Sequence, residues 1–380
     1  MKETRQRWIY VVGITLAIVM IASVVLPLLP QQQIAATLPP PTAVPVATFP
    51  APPSDLAGIS FEQRYLHPSG LYTVAQPTGF TPSSPSNNGQ LVQVNFNNST
   101  TQAVIESFLD VPDEPYTSLD DVSARLDSAF LSNSWRRYTN WTETGRRVDE
   151  ANQRLIIDFE LTLNRQTYLS RHAAWLDDSG NAEMVRVVAP ANARDYLLHL
   201  LDGMIPTLER VPYFADSPTG WTAYIADGMV IRYPPSWVVS DGGAGRPVTI
   251  EGSGQILRVE AVADGSAADE AAAEAFVTGI RPTATIASVQ PVERNGLTGF
   301  SVAFNETSLD GAGNSGLALL INGADGTLYS AIVRVPQAGL DLNAVSADSE
   351  EAAAVSDALG VLETFTPSEP LALPEPAAVS

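Results

Sequence analysis

The chain has 380 residues, with 21 Lys and Arg against 42 Asp and Glu, for a net charge of −21. Hydrophobic residues make up 45% of it, enough for packed cores and, at roughly 150 residues per domain, for two domains. The acidic balance lacks the basic face of a nucleic-acid binder, and the absence of Cys excludes disulfides, thiolate metal sites and cysteine nucleophiles.

Residues 1–8 carry Lys2, Arg5 and Arg7 against Glu3, and residues 9–29 follow without a charge. A helix of that length just spans a hydrocarbon core of roughly 30 Å. Trp8 and Tyr10 stand at an interfacial position, and no Lys or Arg follows until Arg64. The positive-inside rule predicts a single-pass membrane protein with a cytoplasmic N-terminus and the bulk of the chain extracytoplasmic. A cleaved signal peptide is the competing reading, with Ala35-Ala36 as a small-residue cleavage site, but its apolar core is usually shorter, roughly 7–15 residues.

Residues 30–60 hold Pro39, Pro40, Pro41, Pro45, Pro50, Pro52 and Pro53 and read as a semi-rigid polyproline stalk. Residues 367–380 read as a disordered Pro-rich tail. Between them one order of elements is spelled twice. LYTVAQPTGF (from Leu71) alternates into a Pro-Gly turn, and two further alternating strands follow. A helix then carries Leu119, Val122, Leu126 and Phe130 on one stripe, with Ser118 and Asp121 placed to cap it. Strands come next, then a closing helix with Tyr196, Leu197, Leu200, Leu201, Met204 and Ile205 on its apolar face. The second pass opens with GMVIRYPPSWVV (from Gly228), and a shift of 157 residues lays Pro234 on Pro77 and Trp237 on Phe80. Its closing helix turns Val355, Leu359 and Leu362 inward. The reading is two tandem copies of one α+β domain.

The segments VAQPTGF (from Val74) and IRYPPSW (from Ile231), with the placement of the helices, resemble the PsbP-like α/β sandwich family. The resemblance covers residues 61–212 and 220–366. The expected fold class is therefore α+β: two tandem antiparallel-sheet-plus-helices domains after a single N-terminal transmembrane helix. The family is largely non-catalytic, so the resemblance implies binding or assembly rather than a reaction, with no functional residues to carry over.

Motifs of chemistry are sparse. The three histidines, His67, His172 and His199, are not clustered, and neither HExxH nor GxSxG occurs, so no metal, cofactor or catalytic residue is assigned. DGGAGRPV (from Asp241) has no helix after it and reads as a hairpin loop, not a phosphate cradle. What stands above background is arginine: twelve between Glu62 and Val211 against six between Trp221 and Phe365. Arg136, Arg137, Arg146 and Arg147, interleaved with Trp135, Tyr138 and Trp141, are the candidate partner-contact patch. Forked guanidinium groups and aromatic faces suit such a surface. The alternative is local pairing with Asp158, Glu160 and Glu183 across strands. The functional expectation is a membrane-anchored, non-catalytic protein that binds or assembles a protein partner at the outer face of the cytoplasmic membrane. An envelope lipid or small-amphiphile binder is the alternative, and an envelope hydrolase the second.

Overall fold

The structure is a computed structural model and describes residues 48–240, 246–307, 311–345 and 350–371. The charge-free segment 9–29 lies outside the described residues.

Repeat 1 opens with the hairpin β1 (Arg64–Leu66) and β2 (Tyr72–Ala75), followed by β3 (Thr81–Asn87), β4 (Leu91–Asn98) and β5 (Ala103–Asp110). Two short helices come next, α1 (Leu119–Arg125) and α2 (Ser128–Ser134). The long strands β6 (Asn140–Asp149), β7 (Arg154–Leu163), β8 (Gln166–Leu176) and β9 (Ala182–Pro190) lead to the closing helix α3 (Arg194–Met204) and to β10 (Glu209–Arg210). The sheets have the orders β3-β4-β5-β9-β8-β7-β6 and β1-β2-β10. Period-two alternation decides the faces. On β4, Val92, Val94 and Phe96 turn towards the small sheet and α3, which join them in one core. The opposite face carries Phe108, Leu155, Ile157 and Phe159 under α1 and α2.

Repeat 2 has the same plan. Its strands are β11 (Thr222–Ala226), β12 (Met229–Tyr233), β13 (Val238–Ser240), β14 (Val248–Gly252) and β15 (Gln255–Val262). Helix α4 (Glu270–Ile280) is followed by β16 (Thr285–Arg294), β17 (Leu297–Thr307), β18 (Gly313–Asn322) and β19 (Leu328–Val335), then α5 (Glu350–Glu363) and β20 (Thr366–Pro367). The sheet orders are β13-β14-β15-β19-β18-β17-β16 and β11-β12-β20, matching repeat 1 strand for strand. The shift of 157 extends to single hydrogen bonds. Phe80 N–H donates to Pro77 O and Trp237 N–H to Pro234 O, both at 3.0 Å; Val211 N–H donates to Leu71 O and Ser368 N–H to Gly228 O, both at 2.8 Å.

Several sequence expectations are corrected here. The class is not α+β after a transmembrane helix: the described residues form twenty strands against five helices of 7 to 14 residues, a mostly β structure built on two seven-stranded antiparallel sheets. No helix among the described residues is long and apolar enough to cross a membrane. The single helix expected around residues 119–130 is two. The Ser118–Asp121 capping box starts α1 as its spacing requires, but the backbone turns at Leu126, and Asp127 accepts from Phe130 N–H at 2.8 Å to begin α2. The break lets Leu131 and Trp135 enter the core.

The outer limits of the folded unit also move. Phe49, inside the expected stalk, packs edge-on against Tyr168 with ring centroids 5.0 Å apart, and Leu56 and Ile59 lean on the core of repeat 1. At the other end Pro367 belongs to β20, and a 3-10 turn at Glu369–Leu371 matches one at Pro212–Phe214. Prolines in both segments conceal apolar residues that have a core to reach, and burial outweighs the preference for a solvated extended chain.

Candidate functional site

The seven expected patch residues come from α2, the turn after it and β6, and the structure separates them. Trp135 is the C-cap of α2 and is buried at 1% exposure. Its ring meets Phe159 at 5.2 Å, Tyr138 at 5.7 Å and His172 at 6.0 Å, so it belongs to the core. Arg146 and Arg147 are neighbours in an extended strand and therefore face opposite sides of the sheet. Arg146 grips Glu143 through Nε and Nη2, each at 2.9 Å, and gives its remaining donors to Ser123 O and Oγ at 2.9 Å and Leu126 O at 3.0 Å. It thus neutralises the carbonyl end of α1 and ties it to β6. Arg147 reaches Asp158 at 2.8 Å, as does Arg171 at 2.6 Å. Burial pulls the Asp158 carboxyl upward, but the two guanidinium groups outweigh it and hold the carboxyl below its usual range.

Arg136, Arg137 and Tyr138 do come together. Both arginines are exposed. Arg137 lies over the Tyr138 ring at 5.0 Å from its centroid and donates to the Tyr138 hydroxyl at 2.9 Å. Trp141 is half-buried against Phe159, with ring centroids 6.2 Å apart. Beside this group runs β6, the outer strand of its sheet. A bulge between Glu143 and Gly145 and the charged side chains Glu143, Arg146, Arg147 and Asp149 along β6 blunt it as a template for another strand, leaving side chains as the contact.

Two arginines acquire roles that the pattern did not suggest. Arg186, at the centre of the apolar strand β9, is 2% exposed and pairs through Nε with Glu106, its cross-strand neighbour on β5. Its guanidinium lies 4.1 Å from the Trp135 centroid and 5.0 Å from that of Phe108. Arg232, on β12, is fully buried and crosses from repeat 2 to repeat 1. Nε donates to Ser69 O at 2.7 Å, and Nη2 to the oxygens of Pro218 at 2.9 Å and Trp221 at 3.0 Å; Nη1 reaches Ser217 Oγ. Burial lowers its pKa to about 9, so it remains a cation at neutral pH. Both residues announce themselves as the one cation inside a mostly apolar strand, AEMVRVVAP and MVIRY.

This seam makes the repeats parts of one body. Ala223 N–H donates to Pro68 O at 2.8 Å, and Asn87 Nδ2 to Thr219 O at 2.6 Å. Val230 of repeat 2 belongs to the core cluster of repeat 1, with Ala223 and Ile225 packed against it.

The histidines serve packing. His67 sits between Ser69 Oγ at 2.9 Å and Gln93 O at 3.0 Å, and burial lowers its pKa to about 4. His172 is buried against Trp135, Phe159 and Phe108, with its pKa far below the usual value through burial first and then the nearby Arg186 and Arg146. His199 is half-buried with its ring 5.8 Å from that of Phe61. Glu183 accepts from Trp175 Nε1 at 2.6 Å, and burial raises its pKa to about 7. The space between the large sheet and α3 is packed by Tyr196, Leu197, Leu200, Leu201 and Met204, and a cavity of about 110 Å³ remains at its side, lined by Asp158, Leu169, Arg171, Arg194, Leu197 and Leu198. A cleft of about 420 Å³ opens on repeat 2, lined by Asp227, Gly228, Arg246, Glu260, Asp325 and Tyr329 among others.

No protein-family model matches the chain, and no curated protein matches it. Among solved structures it is similar to the solution structure of cyanobacterial PsbP (CyanoP) from Synechocystis sp. PCC 6803, with 13% identity over 40% of this chain and 95% of that one, at a TM-score of 0.29. The Ran-binding protein Mog1p of Saccharomyces cerevisiae matches at 13% identity over 39% of this chain and 94% of its own, TM-score 0.28. The immunity protein TplEi of Pseudomonas aeruginosa, solved with a peptide, matches at 11% identity over 76% of this chain and 98% of its own, TM-score 0.22.

Proposed function

We propose that this chain is a non-catalytic protein at the outer face of the cytoplasmic membrane, where it binds a protein partner through Arg136, Arg137 and Tyr138 of repeat 1. The observation that carries the reading is the pair of uncompensated cations. Seven other arginines of repeat 1 each meet a carboxylate: Arg64, Arg125, Arg146, Arg147, Arg171, Arg186 and Arg210. Among the described residues Arg136, Arg137, Arg154, Arg165 and Arg194 meet none, and of these only Arg136 and Arg137 are neighbours in the chain. They stand exposed in the turn between α2 and β6, in a chain of net charge −21, with an aromatic ring against one of them. Adjacent guanidinium forks over a tyrosine suit carboxylates on a partner surface. The placement outside the membrane rests on the charge-free segment 9–29 and the basic residues before it.

The test is proximity cross-linking in native membranes with the full chain, its Arg136→Glu/Arg137→Glu variant and an Arg165→Glu control. A cross-linked protein lost only in the double variant supports the reading. An unchanged set of cross-links in all three would sink it. Protease protection of the folded repeats in sealed inverted vesicles checks the side of the membrane.

A further inference from the structure

We propose that Glu183, Asp177 and Arg210 form a proton-operated clasp on β10, closed while the two carboxyl groups carry one negative charge between them and loosened when they carry two. The three residues meet where β10 reaches the tip of the β8–β9 hairpin. Asp177, at that tip, is saturated with donors. Oδ1 accepts from Ser179 N–H at 2.8 Å and Asn181 N–H at 2.9 Å, and Oδ2 accepts from Asn181 Nδ2 at 2.9 Å and Arg210 Nη1 at 2.7 Å. Burial pushes the Asp177 carboxyl upward, but these donors outweigh it and keep the group ionised. Arg210 is nearly buried as well, and among the described residues its Nε has no acceptor.

Glu183 lies on β9 between its cross-strand neighbours, Trp175 of β8 and Leu109 of β5, and is 7% exposed. Its Oε2 accepts from Trp175 Nε1 at 2.6 Å, and Arg154 of β7 stands 5.9 Å from the centroid of the same indole. Asp177 opposes the ionisation of Glu183 and Arg210 favours it; burial, the largest influence, sides with Asp177. One guanidinium thus serves two buried carboxyl groups and is committed to the one already ionised. A proton on Glu183 leaves one anion to one cation. Its loss sets a second buried anion beside Asp177, and hydrating that anion requires β10 to part from the hairpin tip. The closed clasp holds the proton more tightly than the open one, so opening is favoured as the pH rises from about 4.5 to 7.

The effect reaches the seam. β10 runs into Val211, whose N–H donates to Leu71 O at 2.8 Å, and into the 3-10 turn at Pro212–Phe214. The Phe214 ring lies 5.7 Å from the Arg232 guanidinium, and Ser217 and Pro218 supply two of the acceptors of Arg232. Loosening β10 therefore loosens the hold of repeat 1 on repeat 2, and the joint between the repeats responds to pH just below neutrality.

The test is hydrogen exchange of the full chain between pH 5 and 8, read by mass spectrometry as protection relative to the intrinsic amide rate. Amides 205–216 should exchange well ahead of those in β7 and lose protection by up to about seventyfold, levelling off above pH 7. Glu183→Gln should make their protection independent of pH. Trp175→Phe removes the donor that favours ionisation and should move the levelling point to higher pH, which keeps the test open if the glutamine variant fails to fold. Asp202→Asn, which removes an exposed acid of α3, should leave the profile unchanged. A flat profile in the wild type, an equal decline in Glu183→Gln, or protection of 205–216 equal to that of β7 at every pH overturns the proposal.

Discussion

Arg232 of repeat 2 donates through Nε to the backbone oxygen of Ser69 in repeat 1 at 2.7 Å, with both residues buried. This bond and those to Ser217 Oγ and to the backbone oxygens of Pro218, Thr219 and Trp221 spend one guanidinium on five oxygens along the seam. Arg232→Ala takes the donor from buried Ser69 O, while Pro218 O keeps Trp221 N–H and Trp221 O keeps Asn87 Nδ2, and the expected loss is roughly 2–3 kcal/mol. Because the seam couples the repeats, urea unfolding of the variant should split into two transitions where the wild type shows one. A single unshifted transition contradicts the role assigned to Arg232.

The Glu106–Arg186 pair under Trp135 makes a second test. Removing one partner in Glu106→Ala leaves a buried cation unpaired and is expected to cost about 3–5 kcal/mol. The double change Glu106→Leu/Arg186→Met removes both charges and should recover most of that loss. Thermal melts of the three chains decide it: if the double variant is no better than the single, the desolvation argument fails.

His172 and His67 are both held neutral by burial, with pKa values below the ordinary 6.5. The unfolded chain then binds more protons than the fold below about pH 6.5, so stability declines as the pH falls, by up to about 1.4 kcal/mol per pH unit for each such group. His172→Phe keeps a ring in the aromatic nest and removes one titration. Its stability should fall less steeply than the wild type's between pH 6.5 and 4.5 in denaturant titrations.

Glu183 has the opposite sign. Burial raises its pKa to about 7, so the fold holds a proton that the unfolded chain releases near pH 4.5. Stability therefore falls as the pH rises from about 4.5 to 7 and is not lost further above that window. Glu183→Gln retains an acceptor for Trp175 Nε1 and removes the charge. The variant should match the wild type near pH 4 and exceed it at pH 8, and melts at the two pH values check the crossover.

The duplication, the capping box at Ser118 and Asp121, the proline turns at Pro77 and Pro234 and the inward face of α3 were all legible along the chain. Each depends on residues near one another in sequence, where period, turn chemistry and capping act. The mostly β class was not, because the predicted 119–130 helix is broken by the needs of the sheet it covers. Nor was the fate of the arginines. Whether Arg146 caps a helix, Arg186 is buried on Glu106 or Arg232 crosses a seam depends on cross-strand partners 20 to 163 residues away. Composition placed an excess of guanidinium groups in repeat 1. Only strand pairing, which sends neighbours to opposite faces and brings distant carboxylates to hand, decided which arginines are paired, and among the described residues it leaves Arg136 and Arg137 exposed without a carboxylate.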